Sequence, residues 1–244
     1  MDQDFELKYH RLEESHWWFQ ARRSMVGRLI SDQDRRASIL DLGCSSGILM
    51  LFLKQLGFED VSGIDLSPQA VDLCHRRGLT NVFVMRGEKT NFPDNKFEII
   101  IASDVLEHIA ESAQALKEWH RILKPGGRLI IFVPAFQFLW NAHDEKNQHY
   151  RRYSREEIER VLQNVPFKIE RSSYWNFLLF FPVAAARLLN NFLSRNNIEK
   201  KDQLFELPRW VNKSFCTMLE WENRFLKTGT FPWGVSVFAV ARKV

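Results

Sequence analysis

Two groups of residues in this chain of 244 have the types and spacings that chemistry needs. The first is Ile39-Leu-Asp-Leu-Gly-Cys-Ser-Ser-Gly47, followed by Gly63-Ile-Asp-Leu-Ser67. A hydrophobic strand that runs into a small-residue loop, a helix, and a second strand ending on a carboxylate form a unit that holds a nucleoside. The loop admits the ligand close to the backbone, and the carboxylate accepts hydrogen bonds from ribose hydroxyls. Dinucleotide loops favour G-x-G-x-x-G and set a pyrophosphate on the helix N-terminus. Here Gly43 and Gly47 have no third glycine after them at Leu49 or Met50, and Asp41 stands two residues before the first. That arrangement suits a ligand bearing an amino group, not a diphosphate. The second group is His143-Asp-Glu-Lys-Asn-Gln-His-Tyr-Arg-Arg-Tyr153, with two histidines, two arginines and two tyrosines in eleven residues. Histidine has the near-neutral pKa of a general base, and arginine binds phosphate or carboxylate through a planar fork. The alternative is a surface loop whose His and Arg satisfy backbone carbonyls. His143, Asp144 and His149 match no metal-ligand spacing, so no metal is expected there.

These groups need elements to position them. Ser38 to Gly43 reads as a first strand and Ile48 to Gly57 as a helix stopped by glycine. Val61 to Asp65 reads as a second strand, and Ser67-Pro68 caps the next helix. Further strands are expected at Asn81 to Arg86, Phe97 to Ser103 (apolar enough to be buried on both faces), Arg128 to Pro134, Phe167 to Tyr174 and Val235 to Arg242. Helices are expected over residues 5–35, 112–123 and 154–162, with Lys124-Pro-Gly-Gly127 as a turn. This alternation predicts an α/β fold: a doubly wound, Rossmann-like seven-stranded sheet with an antiparallel last strand. One domain is expected over residues 1–244, with a helical N-terminal lid over 1–36 and a core over 37–174 and 233–244. An insertion over 175–232, before the last strand, is expected to form helices that wall a substrate pocket at the carboxyl ends of the strands.

Asp41 to Gly47, Gly63 to Ser67, Asp104-Val-Leu-Glu-His-Ile109 and Leu123-Lys-Pro-Gly-Gly-Arg128 resemble four successive motifs of class I S-adenosylmethionine-dependent methyltransferases. The resemblance covers roughly residues 37–135 and implies S-adenosylmethionine as cofactor. On the matching positions it implies that Gly43, Ser45 and Gly47 wrap the methionine end, and that Asp41 orders the loop or meets the amino group. Asp65, followed by Leu66, takes the ribose. Glu88 and the Lys89 amide recognise adenine. Ser103 and His108 lie beside the sulfonium, with His108 equally readable as a packing residue; Glu107 is read as structural. In Glu14-Ser-His-Trp-Trp-Phe-Gln-Ala-Arg-Arg23, Arg23 is favoured as a clamp for the methionine carboxylate and Trp18 as a stacking surface for the acceptor; the alternative is a helix that packs its aromatics on the core.

On the acceptor side, His143 and His149 are the expected base or orienting groups, and Tyr150, Arg151, Arg152 and Tyr153 the expected contacts. With His16-Trp-Trp-Phe19 and Phe231-Pro-Trp-Gly-Val-Ser236, this loop also resembles a bacterial branch associated with surface polysaccharides or lipid-linked intermediates. The expected reaction is methyl transfer to O or N of a small molecule, acidic or lipid-linked.

Composition agrees with an ordinary globular protein: 45% hydrophobic, 26% charged, net charge +4. Three cysteines, Cys44, Cys74 and Cys216, are an odd number without metal spacing and point to a reducing, cytoplasmic compartment. The acidic N-terminus has no secretory pattern. Tyr174 to Leu193 is too interrupted by Asn, Pro and Arg to span a bilayer. It is readable either as a pocket wall or as an interfacial helix with Arg195, Lys200 and Lys201 near headgroups. Two other readings stay open: a nucleic-acid methyltransferase, prompted by the basic balance but lacking an Asn-Pro-Pro-Tyr-like motif after the fourth strand, and a non-catalytic S-adenosylmethionine-binding protein.

Overall fold

A computed structural model describes residues 3–193 and 207–244. Strands β1 (Ile39–Leu42), β2 (Val61–Asp65), β3 (Val82–Val84), β4 (Phe97–Ser103), β5 (Leu123–Pro134), β6 (Phe167–Trp175) and β7 (Ser236–Lys243) form one sheet in the order β3-β2-β1-β4-β5-β7-β6. The first five pair in parallel, and β7 runs antiparallel to both β5 and β6. The fold is the expected doubly wound, Rossmann-like sheet. In β4, Ile99, Ile100 and Ile101 are all fully buried, as a parallel strand covered on both faces must be.

Alternate residues of each strand feed two cores. Leu40, Leu42 and Ile100 pack with Leu116 and Trp119 of α5 (Ser112–Ile122) and with Ile158 and Leu162 of α7 (Arg155–Gln163). Ile39, Ile99 and Ile101 share the other core with Met25 and Val26 of α2 (Trp17–Leu29), Met50 and Leu53 of α3 (Ile48–Gln55), and Cys74 of α4 (Pro68–Arg76). Local rules set the helix starts: Ser67 accepts from the Ala70 amide ahead of Pro68, and Ser154 with Glu157 closes a capping box.

Three local expectations change. The Lys124-Pro-Gly-Gly127 segment lies inside β5 rather than ending before it, because a register shift opposite Phe97 to Ile99 absorbs the extra residues. Gly127 is required there, since a Cβ would sit 2.9 Å from the Glu98 carbonyl oxygen. The N-terminal helix is two helices, α1 (Gln3–Ser15) and α2, hinged at His16. The acceptor loop contains its own short helix α6 (Ala142–Lys146), capped reciprocally by Asn141 and Asp144.

The segment between β6 and β7 holds α8 (Phe180–Leu193) and α9 (Arg209–Phe225). On α8, Ala184 and Arg187 face inward, while Phe181, Leu188 and Leu189 face solvent. Of the interfacial reading, Arg187 faces inward, and the headgroup-side charges Arg195, Lys200 and Lys201 lie outside the described residues. Among the described residues no helix is long and apolar enough to cross a membrane. Helix α9 is bolted to the N-terminal pair. Buried Asn223 accepts from Trp175 Nε1 at 2.7 Å and donates to the Ala21 carbonyl at 2.9 Å, while Asn212 accepts from the Trp17 amide at 2.7 Å. Replacing Asn223 with Ala leaves the buried Trp175 indole N–H unpaired and removes the second bond to the Ala21 carbonyl. The expected loss is about 1–3 kcal/mol, read as a lower denaturation midpoint in urea; an unchanged midpoint would show that this junction contributes nothing to folding.

Candidate active site

The order of strands reverses between β1 and β4, and open α/β sheets hold ligands beyond the carboxyl ends at that point. A cavity of about 860 Å³ lies there. At its cofactor end, the β1–α3 loop turns on Gly43, whose φ is 68° and whose Cβ would stand 2.7 Å from Val105 Cγ2. Ser45 adopts a left-handed φ of 48°, and this turns its amide onto Asp65 Oδ2 at 2.8 Å. The other oxygen of Asp65 accepts from the Ser67 amide at 2.9 Å. Helix α1 closes over this loop: His10 Nδ1 is 3.0 Å from Ser45 Oγ, and Glu13 accepts from the Ser46 hydroxyl. Asp41 is 2% exposed, and its Oδ2 has no hydrogen-bond partner. Burial, reinforced by the negative field of Glu13 and then of Cys74 and Asp65, pushes its carboxyl well above the usual range. An unpaired buried acid with Glu13 and Asp65 nearby fits a ligand that brings an ammonium and ribose hydroxyls, as S-adenosylmethionine does.

The expected cofactor residues divide. Asp41, Gly43, Ser45, Asp65, Leu66, Glu88, Ser103 and His108 all line the cavity. Glu88 is tied by Arg86 Nε at 2.7 Å, and Leu66 offers a 60% exposed apolar surface beside it. Gly47 and Lys89 are not among the lining residues. Gly47 stands behind the loop, where a Cβ would strike Leu79 and Cys74. Cys44 is buried, and the Cys74 hydrogen bond together with burial drives its thiol far up, as suits a packing residue.

Arg23 lies at the cavity rim, but its guanidinium is spent on the carbonyls of Glu13, at 2.5 Å, and Glu14, at 3.2 Å. The buried arginine is its neighbour. Arg22 is 4% exposed and pairs with Asp104 at 2.9 Å. It also donates to Ser103 Oγ at 3.1 Å and Ser236 Oγ at 3.2 Å. Its Cζ lies 4.4 Å from the Trp18 ring centroid, 4.2 Å from Phe132 and 4.5 Å from Trp175. Burial lowers its pKa and Asp104 opposes that. The helical phase explains the exchange: Phe19, Arg22, Met25 and Val26 share the buried stripe of α2, and Arg23 falls off it.

At the acceptor end, His143, His149 and Tyr150 line the cavity, with the two imidazoles 6.4 Å apart. Arg152 does too, but it is not available to an acceptor. It forms a two-pronged bond with Asp144, at 2.8 and 2.9 Å, and donates to the Ala135 carbonyl at 3.1 Å. The Asp144 Oδ1 that accepts from Arg152 Nε is shared, since it also meets His149 Nδ1 at 2.8 Å. Burial raises the Asp144 carboxyl, but the His149 hydrogen bond and Arg152 outweigh it and hold the group well below the usual carboxylate range. Arg151 turns away to the Ala110 carbonyl at 2.7 Å, and Tyr153 sits in the core; neither lines the cavity. The cation that does face it is Arg187 of α8. It is 9% exposed, bonded to the Leu139 carbonyl at 3.1 Å with Nε unpaired, and its pKa is lowered by burial to about 9. Its position among alanines and leucines hid it in the sequence; the spacing from Val183 through Ala184 to Arg187 was the available signal.

Residues 40–131 match the family described as "Methyltransferase domain". Over 103 residues the chain is 33% identical to a demethylmenaquinone methyltransferase of Chlorobaculum tepidum, covering 41% of this chain and 42% of that protein. Over 95 residues it is 35% identical to a ribosomal protein L11 methyltransferase of Burkholderia mallei, covering 38% and 31%. The chain thus spans less than half the length of these curated relatives. Among solved structures, an S-adenosylmethionine-dependent methyltransferase of Archaeoglobus fulgidus superposes with a TM-score of 0.61 at 15% identity, over 96% of this chain and 99% of that one. A protein named as the [4+2]-cyclase SpnF superposes with a TM-score of 0.58 at 20% identity, over 89% and 79%. At such identities the likeness is one of fold. Residues 40–131 thus match a methyltransferase domain, and the whole sheet has the fold that S-adenosylmethionine-dependent methyltransferases share; both support S-adenosylmethionine as the cofactor.

The buried Asp144 charge holds the acceptor loop together, so Asp144→Asn is expected to cost about 3–5 kcal/mol, the penalty for leaving a buried partner charge unpaired. Chemical denaturation at pH 7 measures it, and a loss below about 1 kcal/mol would mean that Arg152 finds water in the variant.

Proposed function

We propose that the protein transfers a methyl group from S-adenosylmethionine to O or N of a small acidic acceptor, with lipid-linked intermediates as the acceptor class favoured. The observation that carries this reading is the continuity of one cavity from the Asp41 and Asp65 end to His143 and Arg187. S-adenosylmethionine supplies an electrophilic methyl group when bound. Asp65 accepts from the ribose hydroxyls, Asp41 from the amino group, and Leu66 and Glu88 border the adenine. Trp18 and the α1 residues His10 and Glu13 exclude water from the cofactor loop. Most of the rate gain in such a transfer comes from holding the nucleophile ~3 Å from the methyl carbon. Arg187 binds the acidic part of the acceptor, and His143 takes the proton as the new bond forms. His149, held by Asp144, orients the loop.

Calorimetry tests the cofactor half. S-adenosylmethionine and its demethylated product should bind and nicotinamide dinucleotides should not, with Asp65→Ala weaker by roughly 1–3 kcal/mol. Labelled cofactor incubated with polar, lipid and nucleic-acid fractions of a cell extract identifies the acceptor. With that acceptor, His143→Ala should lose turnover by ~10²-fold or more at unchanged cofactor affinity, and Arg187→Gln should raise KM. Label entering only nucleic acid, or parental turnover in His143→Ala, overturns the corresponding assignment.

The outward faces of α8 and α9, with Phe181, Leu189, Trp210 and Trp221 exposed, support peripheral contact with a membrane that presents such an acceptor. Flotation with vesicles containing anionic lipid at low salt should carry the protein upward and blue-shift its tryptophan emission; protein left at the bottom of the gradient removes the membrane contact.

A further inference from the structure

The β4 edge carries a group that the methyl-transfer reading does not use. After Asp104, whose φ is 58°, the chain makes a 3₁₀ turn over Leu106–His108. This turn delivers Glu107 to the cavity at 0% exposure, and neither of its carboxylate oxygens has a hydrogen-bond partner. Leaving a polar group buried and unpaired is costly, and a charged one more so. His108 and His149 stand beside it with their rings 4.5 Å apart. One ligand atom from each of Glu107, His108 and His149 lies within 4.8 Å of the other two.

Each histidine is already held by one nitrogen. His149 Nδ1 meets Asp144 at 2.8 Å, and His108 bonds the backbone of Asn147. The outer partner fixes the tautomer and aims the remaining nitrogen, as for metal-bound imidazoles. Tyr150 N donates to the Glu107 carbonyl at 2.8 Å and pins the two segments together. We propose that Glu107, His108 and His149 form a binding site for a divalent transition-metal ion, zinc foremost, in the wall of the cavity. Two imidazoles and one carboxylate are a donor set that zinc takes in open sites, leaving the fourth position for a water or substrate oxygen. Bonds of ~2.0–2.2 Å set tetrahedral ligands roughly 3.4 Å apart, so closure draws these atoms in by roughly an ångström. Entry of an acceptor oxygen at the fourth position rests on the methyl-transfer reading; the metal site itself does not.

The test uses untagged, chelator-treated protein and Co²⁺ or Zn²⁺ alone. The parent should take up one equivalent of Co²⁺ with visible d–d absorption, displaced by Zn²⁺. Glu107→Gln and His108→Asn, checked for parental circular dichroism, should lose this stoichiometric uptake. Asp144→Asn, where it folds, should weaken uptake by about 10–100-fold as an outer partner does. No uptake by the parent at tens of micromolar metal overturns the site, as does undiminished uptake in both ligand variants. An intense near-ultraviolet thiolate band would also overturn it, by assigning the metal to Cys44 or Cys74. Failure of any of these leaves cofactor binding and methyl transfer standing, and absence of methyl transfer leaves the metal titration unaffected.

Discussion

The site depends on one buried charge. The Arg22 guanidinium lies between Trp18, Phe132 and Trp175, and its donors reach Ser103, Asp104 and Ser236. It thereby joins the N-terminal helices to the ends of β4 and β7 and to the aromatic layer between them. Taking such a charge out of water is costly, and only an ion pair, hydrogen bonds and ring faces together offset it. Because those partners come from four strands besides the helix of Arg22 itself, this part of the cavity wall is complete only when α2 has docked on all four. The lid is therefore part of the fold and not an appendage on it.

Two further constraints hang on the same edge. Ser45 and Asp104 both sit in left-handed backbone conformations, at φ 48° and 58°. Side-chain-bearing residues adopt such φ values at a cost that the surroundings must over-determine. At Ser45 the return is an amide that meets Asp65; at Asp104 it is a carboxylate that meets Arg22 and a turn that presents Glu107 and His108. On the far side of the cavity, Asp144 does for the acceptor loop what Asp104 does for the lid, with Arg152 and His149 as its partners. A region too short for its own apolar core is held by a saturated ion pair instead.

Legibility followed the range of the interactions. The doubly wound class, the seven strands and the helix starts at Ser67 and Ser154 follow from periodicity, breakers and caps that act within a few residues, and these were readable. So was the tight turn after β1, because such a turn beside a strand end constrains residue type locally. Within the polar loop, Arg151 and Arg152 look alike in sequence, yet one turns out to Ala110 while the other is consumed by Asp144. Arg22 and Arg23 likewise differ only by the phase of the helix relative to the core.

By itself the sequence determined the doubly wound sheet and the tight turn between β1 and α3, since each is encoded by hydrophobic period and by backbone conformations that few residues tolerate. Tertiary structure alone decided which charges face the cavity. Arg187 points inward from a helix whose Leu188 and Leu189 point out, and Glu107 is left without a hydrogen-bond partner beside two histidines, one of them 42 residues away. The reason is physical: the burial and pairing of a charge depend on groups brought together by docking, and no local spacing records them.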